Sequence, residues 1–249
     1  MAQEFTGLVT PFSSVEEQME RLFPPETHPF RHLERAIEQW LSPTSNILDV
    51  GCGRRAPVLR RFVGRAAKLY GVDVVEFSNP APEGLILLNH DVCQMDEIQD
   101  GIIDLAYSKA VMEHVAEPVR ACVEINRILK PGGVYIFITP SIYDYGSIIA
   151  SVVPNSLHPK IVNFVEGRAE ENVFPTLFRS NSRKAIEMIS AKSGLLIREF
   201  RYLGQYPNYF AFNRVLFWIG SIYQKIIERF RITQPLQGWI FCVLQKPCS

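Results

Sequence analysis

A chain of 249 residues with a hydrophobic fraction of 47% is long enough to bury the core of one α/β domain and to carry additional segments. Its 26 basic and 26 acidic residues balance, so no overall charge attracts it to a polyanion, and we expect no nucleic-acid partner. No run of 18 apolar residues occurs, so we do not expect a membrane-spanning helix either.

The cysteine content favours a reducing compartment. Three of the five cysteines lie inside apolar segments, as ordinary buried thiols do, and their spacing is not that of metal ligands. The five are Cys52, Cys93, Cys122, Cys242 and Cys248. Residues 1–12 lack the apolar core of a signal peptide. We therefore expect a cytoplasmic protein, and we expect no metal.

The N-terminal part is predicted to be an arm followed by a helix. Residues 1–30 are polar and contain several prolines, with one short helix predicted at Val15–Leu22. The spacing of apolar residues then predicts a helix over Phe30–Leu41, ended by Pro43. The arm either packs on the surface or folds over a bound cofactor.

Residues 46–53 form the stretch around which the rest of the sequence is organised. The apolar run at 47–50 is typical of a central parallel strand, and Gly51 and Gly53 end it. A helical pattern follows over 58–63, and we expect that helix to present its free N–H groups over the turn. A strand, a glycine turn and a helix make the first half of a βαβ nucleotide-binding unit.

Asp49 precedes this glycine turn by two residues. A carboxylate there would repel the pyrophosphate of a dinucleotide, and it would attract the ammonium and sulfonium groups of S-adenosylmethionine. Residues 51–56 nevertheless fit the Gly-x-Gly-x-x-Ala form of the dinucleotide fingerprint. A nicotinamide cofactor therefore stays open at this point.

A second carboxylate follows the predicted second strand, Lys68–Asp73. Asp73 comes after Gly51 by about the twenty residues that separate a glycine turn from a ribose-binding carboxylate. Ribose binding is the prediction for Asp73, and a helix cap or turn residue is the alternative.

A third carboxylate follows the predicted third strand, Leu85–Leu88. In such folds this strand end lies close to the adenine, so Asp91 is expected to accept a hydrogen bond from the adenine amine and Val92 to pack on the ring. The alternative for Asp91 is an ordinary cap of the turn at Cys93–Ile98.

The remaining elements alternate as in an α/β sheet. We predict a fourth strand over 102–108, a helix over Pro118–Leu129, a break at 130–133 and a fifth strand over Val134–Ile138. The last elements are predicted to be a helix over Ser180–Ser193 ended by Gly194, a sixth strand over Leu195–Tyr202 and a seventh over Gly238–Gln245.

Four of these stretches together resemble class I S-adenosylmethionine-dependent methyltransferases of the type 11, or ubiquinone/menaquinone-biosynthesis-like, group. They are residues 47–53, 71–73, 104–115 and 129–133, in the family's order and spacing. The resemblance covers roughly residues 45–140. It implies a Rossmann-like, doubly wound α/β fold with a seven-stranded, mostly parallel sheet, whose antiparallel last strand lies between the fifth and the sixth.

The resemblance also implies S-adenosylmethionine as the cofactor and S-adenosylhomocysteine as its product. The residues expected to bind it are Asp49, Gly51, Cys52, Gly53, Asp73, Val74, Asp91, Val92 and Ser108. Ser108 and Lys109 are expected to line the methionine end through backbone groups. Arg55 departs from the family's pattern, which has another glycine there, and it either points outward or occupies part of the methionine pocket.

We predict a domain organisation of an arm at 1–30 and one methyltransferase domain at 31–249. Insertions at about 141–180 and 204–237 are expected to cover the cleft at the carboxyl ends of the strands. Candidate substrate residues of the first insertion are Tyr143, Tyr145, His158 and Arg179. In the second, within residues 207–231, Tyr209–Tyr223 is mostly apolar and the basic Lys225, Arg229 and Arg231 follow it, and a helix apolar almost all round must be buried somewhere. It packs on the domain's own insertion, on a second subunit as a homodimer, or on a membrane surface as a peripheral contact.

Methyl transfer from a sulfonium is an in-line displacement, so the enzyme mainly has to align acceptor, methyl group and sulfur. The covering insertions favour a small-molecule or lipid-like acceptor, with oxygen favoured over carbon or nitrogen as its reacting atom. His114 follows the fourth strand and is the candidate general base, with a structural histidine as the alternative. The competing functions are a catalytically silent methyltransferase-like scaffold protein and a nicotinamide-dependent oxidoreductase.

Overall fold

The computed structural model describes residues 10–78, 81–152 and 174–248, with the backbone alone for residues 149–152. Within those ranges the chain forms one seven-stranded sheet and a set of helices. The strands are β1 (Asn46–Val50), β2 (Lys68–Asp73), β3 (Leu85–Asn89), β4 (Ile103–Lys109), β5 (Leu129–Pro140), β6 (Leu196–Leu203) and β7 (Trp239–Gln245). The helices are α1 (Val15–Leu22), α2 (Pro29–Trp40), α3 (Pro118–Ile128), α4 (Tyr145–Val152), α5 (Arg183–Ser193) and α6 (Arg214–Arg229).

The strand order is β3-β2-β1-β4-β5-β7-β6, and β1 to β5 pair in parallel. The strand β7 runs antiparallel to β5. The Lys246 amide bonds the Gly133 carbonyl at 2.9 Å, and the Ser141 amide bonds the Gly238 carbonyl at 2.9 Å. Because the partner numbers fall along one strand as they rise along the other, the direction is reversed. The predicted doubly wound sheet with an antiparallel last strand is confirmed.

The described residues belong to two compact units. The larger consists of Leu33–Thr139, Thr176–Arg201 and the chain from Ile240 onward, and it holds most of the sheet. The smaller draws its described residues from 10–32, 140–152, 174–175 and 202–239. The arm and the two insertions contribute these residues, while their predicted role in covering a cleft stays a prediction.

The core of the larger unit lies around β1 and β4. Ile47, Leu48, Leu105 and Ala106 have no exposed surface, as expected of parallel strands covered on both faces. The helix α5 occupies the predicted part of the chain. Ser182 caps its start by accepting the Ala185 amide. It ends at Gly194, whose φ of +75° is the left-handed conformation typical of a helix end.

The predicted helix after the glycine turn is wrong. Only a 3₁₀ turn, Leu59–Phe62, forms there. Pro57 and Gly64 leave too few residues between them for an α-helix, and Gly64 adopts a φ of +77°. No helix N-terminus therefore lies over this turn in the described chain.

The predicted break at 130–133 is also different, since β5 begins at Leu129 and includes it. The irregularity survives inside the strand: the register with β4 shifts between Ile103 and Leu105. Gly133 makes the close approach possible, because a Cβ there would lie 2.9 Å from the Lys130 carbonyl oxygen.

In the smaller unit, α1 has the predicted bounds, and its Gln18 amide nitrogen bonds the Arg214 carbonyl at 3.1 Å. Rings of Tyr145, Tyr209, Phe210 and Tyr223 pack together. One face of α6 is left uncovered within the described chain, where large apolar side chains such as Ile219 are half exposed, so its packing on a second subunit or a membrane surface stays a prediction. No helix in the described chain is long and apolar enough to cross a membrane.

Candidate active site

The glycine turn after β1 requires its two glycines. Gly51 has a φ of +75° and Gly53 a φ of +74°, a region that side chains disfavour. The amide of Gly51 bonds the Val72 carbonyl at 2.7 Å, and a Cβ on Gly51 would lie 2.3 Å from Cγ2 of Val111. A Cβ on Gly53 would meet no atom within 4 Å. The turn is therefore packed on its Gly51 side and open at Gly53.

Asp73 lies at the end of β2 and faces this turn. Its Oδ2 accepts the Gly53 amide at 2.7 Å, and its Oδ1 accepts the Val75 amide at 3.2 Å. An ionised carboxylate has about four lone-pair positions, so two of them remain for a ligand. The carboxylate thus holds the glycine turn in place. It can also accept further hydrogen bonds from a ligand next to Gly53.

Asp49 and Tyr107 form a buried pair at the ends of β1 and β4. The sheet register places them level with each other, and Tyr107 Oη donates to Asp49 Oδ2 at 2.9 Å. Asp49 is only 4% exposed, and burial raises its pKa to about 7. The bond from Tyr107 and the charge of Lys109 favour the ionised form but do not offset that burial.

A pocket opens beside this pair, within the larger unit. Its lining residues are Leu33, Glu34 and Ile37 of α2, Asp49, Gly51 and Cys52 at the glycine turn, Pro57 and Val58 after it, and Tyr107 and Lys109 of β4. Glu34 and Asp49 supply carboxylates, and Lys109 supplies a cation. An amino-acid group carries an ammonium and a carboxylate, so this lining suits the methionine end of S-adenosylmethionine.

Six of these lining residues were not predicted from the sequence: the polar Glu34 and Tyr107, and the apolar Leu33, Ile37, Pro57 and Val58. Tyr107 could have been found by aligning β1 with β4, since that register sets it opposite Asp49. Glu34 had no such signal, because it occupies an ordinary position between Leu33 and Ile37 in the helical pattern of α2.

Cys52 lies at the pocket but presents no reactive thiolate. Its Sγ would be 2.8 Å from a Cβ on Gly71, so β2 needs a glycine there to admit the thiol. Burial, followed by the charges of Asp49 and Asp73, raises the pKa of the thiol. Packing is the role that this geometry supports for its side chain.

Arg55 points outward. Its side chain is exposed, it does not line the pocket, and its carbonyl accepts a bond from Arg60 Nε at 2.7 Å. Ala56 follows with a φ of +44° and is buried. It is the small residue that ends the Gly-x-Gly-x-x-Ala form of residues 51–56. Of the two alternatives for Arg55, the outward one describes the structure.

Of the predicted cofactor-binding residues after β2 and β3, two are exposed and one is buried. Val74 is 58% exposed, and Asp91 accepts the Cys93 amide at 2.8 Å, as a turn cap does. Val92 is buried at 9% exposure. Adenine binding by Asp91 and Val92 stays a prediction.

Ser108 is directed into the interior. It has no exposed surface, and its Oγ lies 2.7 Å from Oη of Tyr135. A contact of its backbone with the cofactor stays a prediction.

His114 lies in the turn after β4 that packs on the glycine turn. Its amide bonds the carbonyl of Val111, whose side chain contacts Gly51. Its ring is 31% exposed, with Nε2 3.9 Å from Oε1 of Glu113. An accessible imidazole beside a carboxylate is the arrangement that a general base needs.

Glu113 is held by a buried hydrogen-bond network. Its carboxylate is 4% exposed and accepts from Thr139 Oγ1 at 3.0 Å, and Thr139 Oγ1 accepts from Asn181 Nδ2 at 2.9 Å. The Glu113 carbonyl also accepts the amides of Leu177 and Phe178, at 2.7 and 3.2 Å. The carboxylate next to His114 therefore has little freedom to move.

The described candidate substrate residues belong to different units. In the smaller unit, Tyr143 is 48% exposed and the ring of Tyr145 belongs to the aromatic group. In the larger unit, the Arg179 guanidinium donates to the Ala116 carbonyl. His158 lies outside the described residues. Their contact with a substrate stays a prediction.

Comparison with known proteins shows what the stretch that carries most of this site is similar to. Residues 48–137 match the family model described as a methyltransferase domain. The chain is 31% identical over 99 residues to an uncharacterised protein of a Streptomyces fradiae transposon, covering 36% of this chain and 29% of that protein. It is 28% identical over 114 residues to a sterol 4-C-methyltransferase of Caenorhabditis elegans, covering 42% and 33%. The chain thus aligns with about a third of the length of these curated relatives.

Solved structures share the fold at low identity. The 4+2 cyclase SpnF superposes with a TM-score of 0.53 at 17% identity, covering 97% of this chain and 86% of that one. A geranyl diphosphate C-methyltransferase from Streptomyces coelicolor A3(2), in complex with Mg²⁺, geranyl diphosphate and S-adenosylhomocysteine, gives 0.53 at 14% identity, covering 97% and 89%. A Bacillus halodurans structure described as a putative methyltransferase gives 0.52 at 14%, covering 87% and 99%. Residues 48–137 are thus similar to a methyltransferase domain, and the described part of the chain has the fold that these solved structures share.

Proposed function

We propose that the protein transfers a methyl group from S-adenosylmethionine to a small-molecule or lipid-like acceptor. The observation that carries this proposal is the buried Asp49–Tyr107 pair in a pocket beside the glycine turn. Keeping a carboxylate ionised in such a place is unfavourable unless a cation joins it. The ammonium and sulfonium of the cofactor supply that positive charge.

Different residues around the pocket bind different groups of the cofactor. Asp49 and Glu34 face its ammonium and Lys109 its carboxylate, while Asp73 accepts from the ribose hydroxyls across the open side of Gly53. This division is supported by the pocket lining and by the free acceptor positions of Asp73. S-adenosylhomocysteine is the product, and it keeps every group named here except the charged sulfur.

When bound, the cofactor supplies an electrophilic methyl group, and the protein supplies alignment and a proton acceptor. His114 Nε2 or Nδ1 takes the proton from the acceptor's nucleophile as the new bond to the methyl carbon forms. Glu113 stabilises the charge that His114 gains, because its buried carboxylate is held 3.9 Å away. No further acid is needed, since the leaving sulfur becomes a neutral thioether.

A hydroxyl is the acceptor atom that we propose first. Its proton is one that an imidazole removes readily, which matches the accessible ring of His114. Carbon is the alternative, because relatives of this chain include C-methyltransferases acting on a sterol and on geranyl diphosphate. Both of those acceptors are lipid-like, which supports an apolar small molecule over a polymer. The buried free thiols Cys122 and Cys242 support the cytoplasm as its compartment.

The first test is calorimetry with S-adenosylmethionine, S-adenosylhomocysteine and NAD. We expect both adenosyl ligands to bind and NAD to show no heat, because Asp49 opposes a pyrophosphate. Binding of NAD alone would instead establish the oxidoreductase alternative.

The second test is transfer of labelled methyl from S-adenosylmethionine into a lipid extract and into an aqueous metabolite fraction. We expect label in the lipid fraction, and mass spectrometry of the product then distinguishes an ether or ester from a carbon–methyl bond. Cofactor binding without any transfer would support the silent scaffold alternative. The shared fold of a 4+2 cyclase shows that this architecture serves other reactions too.

A further inference from the structure

One face of α6 presents large apolar side chains outward. Leu216, Ile219, Tyr223, Ile226 and Phe230 are 41, 53, 38, 52 and 53% exposed. Their spacing alternates between three and four residues, so they form one continuous stripe along the helix. Scattered apolar residues on a surface are ordinary, but a stripe of this length marks a surface for interaction.

The opposite face of α6 holds the helix in place within the smaller unit. Its buried residues are Phe217, Gly220, Ser221, Gln224 and Ile227. Phe217 packs edge-on against Phe23, and Asn213 caps the start of the helix by accepting the amides of Val215 and Leu216. The helix is thus anchored on one side, and its outward apolar stripe belongs to the folded state.

Two large apolar side chains next to the helix are exposed as well. Ile232, in the 3₁₀ segment Arg231–Leu236, is 91% exposed, and Phe212, just before the helix, is 73% exposed. An exposed apolar side chain therefore lies next to each end of α6.

Positive charge accompanies this apolar surface. Residues 204–237 contain four basic side chains and one acidic one, in a chain whose 26 basic and 26 acidic residues balance. Lys225 lies 3.4 Å from the one acidic residue, Glu228. Arg214, Arg229 and Arg231 are exposed. The segment thus concentrates uncompensated positive charge where the exposed apolar residues are.

We propose that α6 and the segment Phe230–Ile232 dock on the surface of an anionic lipid bilayer. An amphipathic helix with apolar side chains on one face and basic ones beside it lies in the membrane interface, with the apolar side chains among the acyl chains and the cations at the phosphates. A second copy of this chain fits less well, because a two-fold interface through α6 would set the same basic residues against each other. The proposal goes beyond methyl transfer and does not depend on it.

The test is co-sedimentation of the full chain with vesicles of phosphatidylcholine alone and of phosphatidylcholine mixed with phosphatidylglycerol. We expect binding to the mixed vesicles and little to the neutral ones. Loss of one basic residue should weaken binding about fivefold, so Arg229→Gln with Arg231→Gln should weaken it about 25-fold. Raising the salt concentration should weaken binding in the same direction, since surface charges are screened.

The apolar stripe is tested by Ile219→Gln with Ile226→Gln, which keep the helix-forming tendency of α6. Each is expected to weaken vesicle binding about tenfold. The matched control is Leu196→Gln, since Leu196 is a 59% exposed apolar side chain on β6. It should bind as the unaltered protein does. Circular dichroism and thermal melting check that every variant is folded.

Three results would overturn the proposal. They are no binding to the mixed vesicles, equal binding by the Ile219 and Ile226 variants, and equal binding to neutral and anionic vesicles. Sedimentation velocity adds a further discrimination: a dimer that dissociates in the Ile219 and Ile226 variants, without vesicle binding, would assign the stripe to a second copy.

Discussion

Two regions of the molecule are energetically unfavourable in the protein by itself, in opposite ways. One is the pocket at the ends of β1 and β4, and the other is the outward stripe of α6. At the pocket the carboxylate residue Asp49 is buried, with 4% exposure, whereas on the stripe apolar side chains such as Ile226 are 52% exposed. A buried charge without a full partner is costly, and so is apolar surface in water. Each region therefore indicates an interaction that another molecule completes.

The two regions differ in what they can recognise. Around Asp49 the contacts are directional: a hydroxyl from Tyr107 at 2.9 Å and a cation from Lys109 define where a small charged ligand binds. Along α6 the exposed side chains are aliphatic and aromatic, and their hydrophobic contacts have no preferred direction. An extended surface therefore suits them better than a defined small molecule. The predictions below test the pocket side of this comparison, from the largest expected effect to the smallest.

The largest effect is expected from His114→Ala. If the imidazole accepts the proton, turnover at saturating cofactor should fall by about 10²–10⁴-fold, since that is the usual contribution of a general base. The matched control is His90→Ala, because His90 has the same 31% exposure and also lies beside a glutamate, Glu97. Undiminished turnover in the His114 variant would leave that histidine a structural role.

Asp73→Asn should lower the affinity for S-adenosylhomocysteine by about 100-fold while leaving the fold intact. The amide oxygen can still accept the Gly53 amide, although the Val75 amide loses its acceptor, and the charge-assisted bonds to the ribose, worth about 1.5–3 kcal/mol each, are lost. Calorimetry measures the change. Glu76→Gln removes an exposed carboxylate from the same segment and should not alter binding. Unchanged affinity in the Asp73 variant would contradict the predicted ribose contact.

Affinity for S-adenosylmethionine should rise about tenfold between pH 6 and pH 8. Asp49 has a pKa of about 7 in the ligand-free protein, so below that pH binding of a cation must first displace a proton. Above it the affinity should level off. Asp49→Asn should bind more weakly and without this pH dependence, and a variant that kept the dependence would assign it to another group.

The last prediction concerns the stability of the ligand-free protein rather than turnover or ligand binding. The folded pKa of Asp49 lies above its ordinary value of 3.8, so the stability that its proton contributes is greatest below pH 3.8 and is lost as the pH rises to about 7. The loss is at most about 4 kcal/mol. Asp49→Asn does not titrate, so its melting temperature should exceed that of the unaltered protein by several degrees at pH 8 and by less at pH 5. A lower melting temperature at pH 8 would show that the ionised carboxylate is stabilised already without ligand.

The sequence alone determined the frame of the molecule. The apolar run before Gly51 predicted β1, and the run ending at Asp73 predicted β2 with the bounds that the structure has. Such signals are local, because the period of apolar residues and the demand of a turn for glycine depend on a few neighbours. The position of Asp73 beside the turn followed from the same logic, since parallel strands end at one edge of the sheet.

Only the tertiary structure decided how far each side chain is buried and which groups meet. Nothing local distinguished Tyr107 as the partner of Asp49, or Glu34 as a pocket residue, because both depend on the packing of segments distant in the chain. The same holds for α6. Its composition indicated a helix that is apolar almost all round and buried somewhere, and only the structure shows that the rest of its unit covers one face and leaves the stripe at Ile219 exposed. Burial is a property of the whole packed chain, so a short stretch of sequence does not contain it.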